Sequence, residues 1–469
     1  MIDPSVMKKE NIQFEAKKGQ GGLPRSLWET YSAFANTDGG TIVIGLEEKD
    51  GRYEVLGIKN PDVMVKEIWD TLNNRNKVNR NILSDRNIRI EKMDGSDVIV
   101  VDVPRGDRNT RPVFINNDMF NGTYMRNGEG DYHCSREQIL EMVRDSEDVP
   151  DDMKIIESLD EGSLNKETVN RYRAEYKANN RNSPLNRLPD DEFLELIGAL
   201  GKDGGSKHPT AAGLLAFGRG LDIVKVFPQF FLDCRIFEDD TMDWSDRICS
   251  YDYDTSNIFD FFTAVSSRVE KWFPIPFKLN GMTRVKETPA YIASRELILN
   301  SLLHADYHGR LGVVVEKRPN NLTISNPGRF RIPLERAEKG GNSDPRNPSL
   351  FRIFGLIGLI ERAGTGIYRA RKEMSDAGMK APVFREESDP SRVVATVDLR
   401  KGMIDIRSEI LKMIREDENI SISDMMGRTG LSKARLVGAI NYLKEEGTIV
   451  REGSSHGGRW VIPSDERKA

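Results

Sequence analysis

Three polar residues recur at every fourth position between Arg295 and Tyr307: Glu296, Asn300 and His304. Residues spaced four apart lie on the same face of an α-helix, so a helix here would stack all three. An asparagine can offer its side-chain oxygen to Mg²⁺, and a nearby glutamate can orient a water molecule toward a phosphate. The spacing therefore predicts a helix that carries phosphate chemistry on one face.

The chain after this helix predicts a strand that ends in a tight turn. Val313 to Val315 is a β-branched run, and Leu322 to Ser325 leads into Asn326-Pro327-Gly328, which has the composition of a turn. Two further motifs follow in order, Arg346-Asn347-Pro348 and the run from Glu361 to Ile367. The helix, the strand and these motifs are expected to meet around one site.

This order of motifs resembles the nucleotide-binding fold shared by gyrase, histidine kinases and MutL, the GHKL superfamily. The branch found in RecG-like regulators is the more similar one, because it carries the same motifs in the same order. The resemblance implies a GHKL-like α/β sandwich that binds ATP, with Asn300 as a ligand of Mg²⁺. The cofactor-binding residues that it implies are Glu296, Asn300, His304, Asn326, Gly328, Gly364 and Gly366.

One of these positions departs from the family pattern. Asn326 stands where GHKL enzymes place an adenine-binding aspartate. The alternative interpretation is a fold that is kept without its ligand. In that case Glu296, Asn300 and His304 form a satisfied polar seam, and Gly364 and Gly366 are turn residues only.

The composition indicates a protein of several domains. At 469 residues the chain is long enough for about three. A formal net charge of −5 means that any contact with nucleic acid must use local basic patches. Cys134, Cys234 and Cys249 are too few and too scattered for a disulfide framework or a thiolate zinc site. Neither a signal-peptide pattern nor an apolar run of about 20 residues is present, so a cytoplasmic protein without membrane contact is expected.

A second constellation of chemically competent residues lies near the amino terminus. Glu10 and Glu15 are followed by Lys17, and Glu47 comes directly after the run Thr41 to Leu46, which predicts a buried strand. Clustered carboxylates hold Mg²⁺ or Mn²⁺, which can activate water and stabilise charge on a phosphorane. The alternative is that Glu10 and Glu15 are exposed charges among lysines.

The block from Ser32 to Gly45, SAFANTDGGTIVIG, is similar to the AlbA-like domain of Schlafen proteins. The resemblance implies that this domain binds RNA or DNA. It also implies that Glu10, Glu15 and Glu47 hold a catalytic metal, with Lys17 as a phosphate contact. The basic residues expected to contact phosphates are Lys17, Lys18, Arg25, Arg105, Arg108, Arg111 and Arg126.

The chain divides into four parts. Residues 1–146 form an α/β or α+β unit that ends in a helix with a capping pattern. Residues 147–200 are expected to form an acidic, solvated linker and a polar helical connector. Residues 201–400 hold the GHKL-like region, and residues 401–469 form a separate small module.

The last module predicts three short helices and a β-hairpin, which together look like a winged helix-turn-helix. Ser432, Lys433 and Arg435 are expected on the outer face of the third helix, and Arg459 in the hairpin, where duplex DNA would lie. The alternative is a winged helix used for dimerisation or docking.

The combined prediction is an ATP-binding, DNA-binding transcriptional regulator that forms a homo-oligomer. The alternative is a metal-dependent, Schlafen-type endonuclease that cleaves RNA or DNA, in phage defence for instance. A helicase motor is not expected, because the sequence contains no G-x-x-x-x-G-K-[ST] loop.

Overall fold

The computed structural model describes residues 13–49, 52–239, 243–273, 279–280, 283–284, 288–341, 343–360, 364–377, 379–399, 406–429, 433–452 and 458–463. The architecture is a mixed α/β protein of several domains. Among the described helices, none combines the length and the apolar character that a membrane crossing requires.

The first domain is built on a four-stranded sheet. Its elements are β1 (Phe14–Lys17), α1 (Leu27–Asn36), β2 (Gly40–Ile44), β3 (Leu46–Lys49), β4 (Arg52–Val55), α2 (Pro61–Leu72), β5 (Ile88–Met93), β6 (Ser96–Val103), β7 (Tyr124–Asn127), β8 (Gly130–His133) and α3 (Arg136–Ser146). The strand order is β1-β2-β6-β5, with β1 parallel to β2 and the other pairs antiparallel. The buried strand predicted from Thr41 is confirmed as β2.

The two faces of this sheet are packed differently. Phe34 and Tyr31 of α1 pack against Ile42 and Ile44 on one face. Phe14 packs on the other face in a smaller apolar cluster. Because side chains alternate along β1, Glu15 and Lys17 lie on the α1 side of the sheet.

The segment after α3 leads into the main core of the protein. Its elements are α4 (Lys166–Asn179), α5 (Asp190–Ile197), β9 (Leu200–Asp203), β10 (Ser206–Pro209), α6 (Ala211–Phe217) and α7 (Gly220–Val226). Tyr172 of α4 is fully buried, and its hydroxyl donates to the carbonyl of Ile353 over 2.7 Å. This connector therefore shares its core with the domain that follows.

The acidic stretch predicted as a solvated linker is only partly solvated: Glu147 and Asp148 are exposed, but other acids of the stretch are buried. Asp152 is 1% exposed and accepts hydrogen bonds from the backbone N–H groups of Ser349 and Leu350 at 2.7 and 3.0 Å. Those groups begin a helix and have no partner within it, so the carboxylate caps that helix. Asp145 is also buried, at 6% exposure. Asp145 and Asp152 therefore connect parts of the chain that are far apart in sequence.

A six-stranded mixed sheet forms the central domain. Its elements are β11 (Leu232–Ile236), β12 (Asp246–Cys249), α8 (Ile258–Trp272), β13 (Leu279–Asn280), β14 (Thr283–Arg284), α9 (Pro289–His304), β15 (Val313–Lys317), β16 (Asn321–Pro327), α10 (Leu334–Lys339), α11 (Pro348–Leu356), α12 (Gly366–Asp376), β17 (Val383–Ser388) and β18 (Ser391–Asp398). The strand order is β12-β11-β15-β16-β18-β17, and α8 and α9 bury their apolar residues in the core beside it.

The carboxyl-terminal part has a small core of its own. Its elements are α13 (Ile406–Glu416), α14 (Ile422–Thr429), α15 (Lys433–Glu445), β19 (Val450–Glu452) and β20 (Arg459–Val461). Trp460 of β20 is 2% exposed, and its indole N–H donates to the carbonyl of Ile420 over 3.0 Å. Three helices and an antiparallel hairpin therefore pack as one unit.

Candidate nucleotide site

Helix α9 carries the Glu296, Asn300 and His304 stripe that the sequence predicts. Thr288 caps this helix, because its side-chain oxygen accepts from the N–H of Tyr291, and Pro289 supplies the preset backbone angle of a first turn. Asn300 Nδ2 donates to the Glu296 carbonyl at 2.8 Å and to Glu296 Oε1 at 3.1 Å. With its nitrogen directed at Glu296, Asn300 keeps its oxygen as the acceptor that a hard cation requires.

The amino terminus of α12 lies directly against this pair. A Cβ atom added to Gly366 would lie 2.6 Å from both Asn300 Nδ2 and Glu296 Oε1. No side chain larger than hydrogen fits there without displacing the pair. Gly364 adopts a positive φ of 62° two residues earlier, which glycine allows at little cost. The first N–H groups of an α-helix point outward and favour anions, so α12 begins where a phosphate could approach Asn300.

The other end of the cleft is formed where β16 ends. Asn326 is 6% exposed, and its Nδ2 donates to the carbonyl of Pro327 over 3.1 Å. This bond fixes the orientation of the Asn326 amide. Oδ1 is then the atom that can accept a hydrogen bond from a ligand. Gly328 follows with a φ of 91°, and a Cβ there would meet the Arg346 guanidinium at 2.8 Å.

Most of these residues line a single cleft that holds about 860 Å³ of empty space, counting the part open to solvent, but Glu296 and Gly328 are not in its lining. Asn300, His304, Asn326, Gly364 and Gly366 all contribute to its lining. Apolar side chains form much of the remaining wall: Leu297, Phe330, Ile332, Ile367, Phe384 and Val393. An apolar cleft with a few convergent polar groups is the usual form of a small-molecule site.

His304 is a neutral member of this cleft. Burial lowers the pKa of His304 to about 3, and the neighbouring Arg346 and Arg331 add to the effect. Its ring packs edge to face on Phe351 with centroids 4.8 Å apart. The imidazole is therefore uncharged near neutral pH and can donate or accept one hydrogen bond, but it adds no positive charge.

The positively charged side chains of the cleft are arginines. None of them was among the cofactor-binding residues predicted from the sequence. Arg329, Arg331 and Arg346 line it, against one acid, Asp344. Each guanidinium group already has a carboxylate partner, Glu386 for Arg329 at 2.9 Å and Asp145 for Arg331 and Arg346 at 2.8 and 2.7 Å. The signals in the sequence were the Arg-Phe-Arg run directly after Gly328 and the Arg346 motif.

Glu15 was predicted as a metal ligand and Lys17 as a phosphate contact. In the structure the two side chains form an ion pair with each other. Glu15 is 8% exposed, with Oε1 2.6 Å from Lys17 Nζ and Oε2 2.8 Å from Arg126 Nη2. Glu47 is paired instead with Lys18, at 2.5 Å. Glu10 lies outside the described residues. Within the described part of the chain, no group of three or more His, Cys, Asp or Glu side chains could hold a metal ion. The three-acid metal site therefore stays a prediction.

Most of the arginines expected to contact phosphates are engaged inside the protein. Arg126 is 2% exposed and bonds Asp131 Oδ1 at 2.9 Å besides Glu15. Its assignment as a nucleic-acid contact is corrected, because a buried guanidinium with two carboxylate partners cannot reach a surface phosphate. Arg111 is likewise 5% exposed. Lys18 and Arg25 remain at the surface.

At the carboxyl-terminal unit, Lys433 is exposed at the start of α15. Ser432 lies outside the described residues, and only the backbone of Arg435 is described, within α15. Arg459 is exposed in β20, with Nη2 3.2 Å from Glu452 Oε2.

Comparisons with known proteins identify three regions of the chain. A family model described as "Schlafen, AlbA_2" matches residues 5–135, and one described as "Putative ATP-dependent DNA helicase recG C-terminal" matches residues 312–395. Residues 140–233 match a domain of unknown function, DUF8451. The resemblance drawn from the sequence is confirmed: the chain combines a Schlafen-type AlbA_2 domain with a RecG C-terminal-like, ATPase-like domain.

Two solved structures also show similarity. The DIP2311 protein from Corynebacterium diphtheriae is 15% identical over 96% of this chain and 95% of that chain, with a TM-score of 0.42. The amino-terminal domain of a RecG-related protein from Nitrosomonas europaea is 23% identical over 29% of this chain and 95% of that chain, with a TM-score of 0.23. Both TM-scores are below 0.5, so no property of either protein is transferred to this chain. No curated protein matches the chain.

Proposed function

We propose that the cleft between α9, α12 and β16 binds a nucleoside triphosphate, ATP, together with Mg²⁺. The observation that carries this proposal is the contact of Gly366 with Asn300 and Glu296. It sets a helix amino terminus, which favours phosphate, beside an amide oxygen that can hold Mg²⁺ and a carboxylate that can orient water. The match of residues 312–395 to an ATPase-like family supports the same ligand.

Asn326 is compatible with adenine despite replacing the usual aspartate. An adenine amino group needs an acceptor, and the Oδ1 of Asn326 supplies one because Nδ2 is bonded to Pro327. A buried amide also has a smaller desolvation cost than a buried carboxylate. ATP hydrolysis, if it occurs, would depend on Glu296.

We propose that the protein is a regulator that binds nucleic acid and that the bound nucleotide controls this activity. We propose that α13, α14, α15 and the β19–β20 hairpin form a winged helix-turn-helix that binds duplex DNA through α15. The AlbA_2 domain would bind RNA or DNA through its exposed basic residues, Lys18 and Arg25 among them. The chain would act as a homo-oligomer that regulates transcription in response to ATP.

Binding of MgATP to the purified protein tests the proposed ligand. Titration calorimetry should give one binding event for each chain with ATP and Mg²⁺, and a weaker event when EDTA removes the metal. GTP serves as the control for base recognition by Asn326. Absence of heat with every adenine nucleotide at millimolar concentration would contradict the proposal.

A separate measurement tests the regulator. Fluorescence anisotropy with labelled duplex DNA should show binding that changes when ATP is added. DNA binding that is absent, or that is identical with and without ATP, would leave nucleotide binding in place but contradict the regulatory role.

A further inference from the structure

Two arginines of the cleft share one carboxylate that belongs to the first domain. Arg331 donates from Nε and Nη2 to Asp145 Oδ1 at 3.0 and 2.8 Å. Arg346 Nη1 donates to the same oxygen at 2.7 Å. Asp145 lies in the last turn of α3 and is 6% exposed. A single side chain of the first domain therefore holds two of the cations that line the nucleotide cleft.

The first domain contacts the same wall of the cleft at two other points. Arg105 Nη2 donates to the carbonyl of Phe330 at 2.7 Å, and Arg108 Nε lies 2.8 Å from Asp344 Oδ2. Phe330 and Asp344 both line the cleft. Residues 329–341 and 343–346 therefore form one wall with two sides, the nucleotide cleft on one and the first domain on the other.

Some donors on this wall have no acceptor among the residues that the structure describes. Within that part of the chain, Arg329 Nε and Nη1 and Arg346 Nε are buried without a hydrogen-bond partner. The side chains of Arg329 and Arg346 are only 9% and 7% exposed, and both line the cleft. A buried unmade hydrogen bond to a charged group costs more than a neutral one. An anion in the cleft could supply the missing acceptors once these guanidinium groups turn toward it.

We propose that Arg331 and Arg346 bind the anionic groups of the nucleotide, and that Asp145 competes with the nucleotide for them. When the cleft is filled, the guanidinium groups turn from the carboxylate to the phosphates, and α3 loses the contacts that Asp145 makes with the cleft wall. The first domain thereby senses the nucleotide. This inference rests on the proposed nucleotide binding. Linkage requires the reverse as well: a nucleic acid that binds the released first domain raises the affinity for nucleotide by the same factor.

The variant Asp145→Asn tests the competition, since asparagine keeps the shape of the side chain and removes its charge. We expect this variant to bind MgATP about tenfold more tightly than the wild type in titration calorimetry, which corresponds to about 1.4 kcal/mol. The matched control is Glu147→Gln, which neutralises an exposed acid two residues away that pairs with Lys154 at 2.8 Å. The control should bind as the wild type does. Equal or weaker binding by Asp145→Asn would overturn the proposal.

A second measurement uses the wild-type protein and needs no variant to fold. Hydrogen–deuterium exchange of the α3 amides should accelerate when MgATP is added, because the helix loses its contacts with Arg331 and Arg346. Exchange that is unchanged or slower would overturn the coupling. If the wild type binds no nucleotide at all, the proposed function fails and the coupling with it. If it binds and α3 does not respond, the coupling alone fails.

Discussion

Arg346 in the cleft wall and Asp145 in the first domain are 201 residues apart in sequence, yet Arg346 Nη1 lies 2.7 Å from Asp145 Oδ1. The desolvation of two buried charges is repaid only when they are well paired. Here the carboxylate also pairs with Arg331, and Arg346 also donates to the carbonyl of Arg329 at 3.0 Å. Helix α3 and the wall of the cleft are thus joined by paired buried charges.

Gly366→Ala should weaken nucleotide binding while the protein stays folded. The added methyl group would lie 2.6 Å from atoms of Asn300 and Glu296 and would force the two side chains apart. We expect the Kd for MgATP to rise at least about tenfold, from the loss of about 1.4 kcal/mol or more. The matched control is Gly355→Ala in α11, where the nearest atom is 3.4 Å away. Similar affinities for the two variants would show that the Gly366 contact is not part of the site.

Arg126→Ala should lower stability rather than nucleic-acid affinity. Removing this buried guanidinium leaves Glu15 and Asp131 without their shared partner, which costs about 3–5 kcal/mol for a broken buried pair. Chemical denaturation measures the loss. Arg25→Ala, at an exposed position, should leave stability unchanged and weaken RNA or DNA binding. The opposite pattern would mean that Arg126 becomes accessible to nucleic acid.

His304 should make the folded state less stable as the pH falls. Its pKa is about 3 in the folded protein and near 6.5 in an unfolded chain, so between these values only the unfolded chain binds the proton. Stability is therefore lost as the pH drops below about 6.5. Comparing urea midpoints at pH 7 and pH 5, the wild type should lose more stability than His304→Asn. Equal losses would mean that His304 is protonated in the folded state.

The double variant Lys433→Ala with Arg435→Ala should weaken duplex DNA binding and reduce its dependence on salt. Each lost phosphate contact removes roughly one counterion from the slope of log affinity against log salt, so the slope should fall by about 2. Lys412→Ala, an exposed lysine on α13, is the matched control. An unchanged affinity and slope would indicate that the carboxyl-terminal unit serves for docking.

The sequence alone predicted the parts of the site that depend on local order. The stripe on α9 followed from its four-residue spacing, and the turn at Asn326 to Gly328 followed from its composition. The role of Asp145 could not be found in this way, because an acidic run looks the same whether water or a distant arginine satisfies it. The burial of Arg126 was missed for the same reason: its partners Glu15 and Asp131 come from two separate strands, β1 and β8.

Binding of MgATP to Asn300→Ala, compared with the wild type by titration calorimetry, tests the central claim most directly. Asn300 is the residue that would hold Mg²⁺ at the start of α12, and its side-chain hydrogen bonds to described residues stay within α9, both to Glu296. The fold should therefore survive the substitution, with an unchanged circular dichroism spectrum. If the cleft binds MgATP through Asn300, the wild type should show saturable binding and the variant none. Equal binding by both proteins, or none by the wild type, would contradict it.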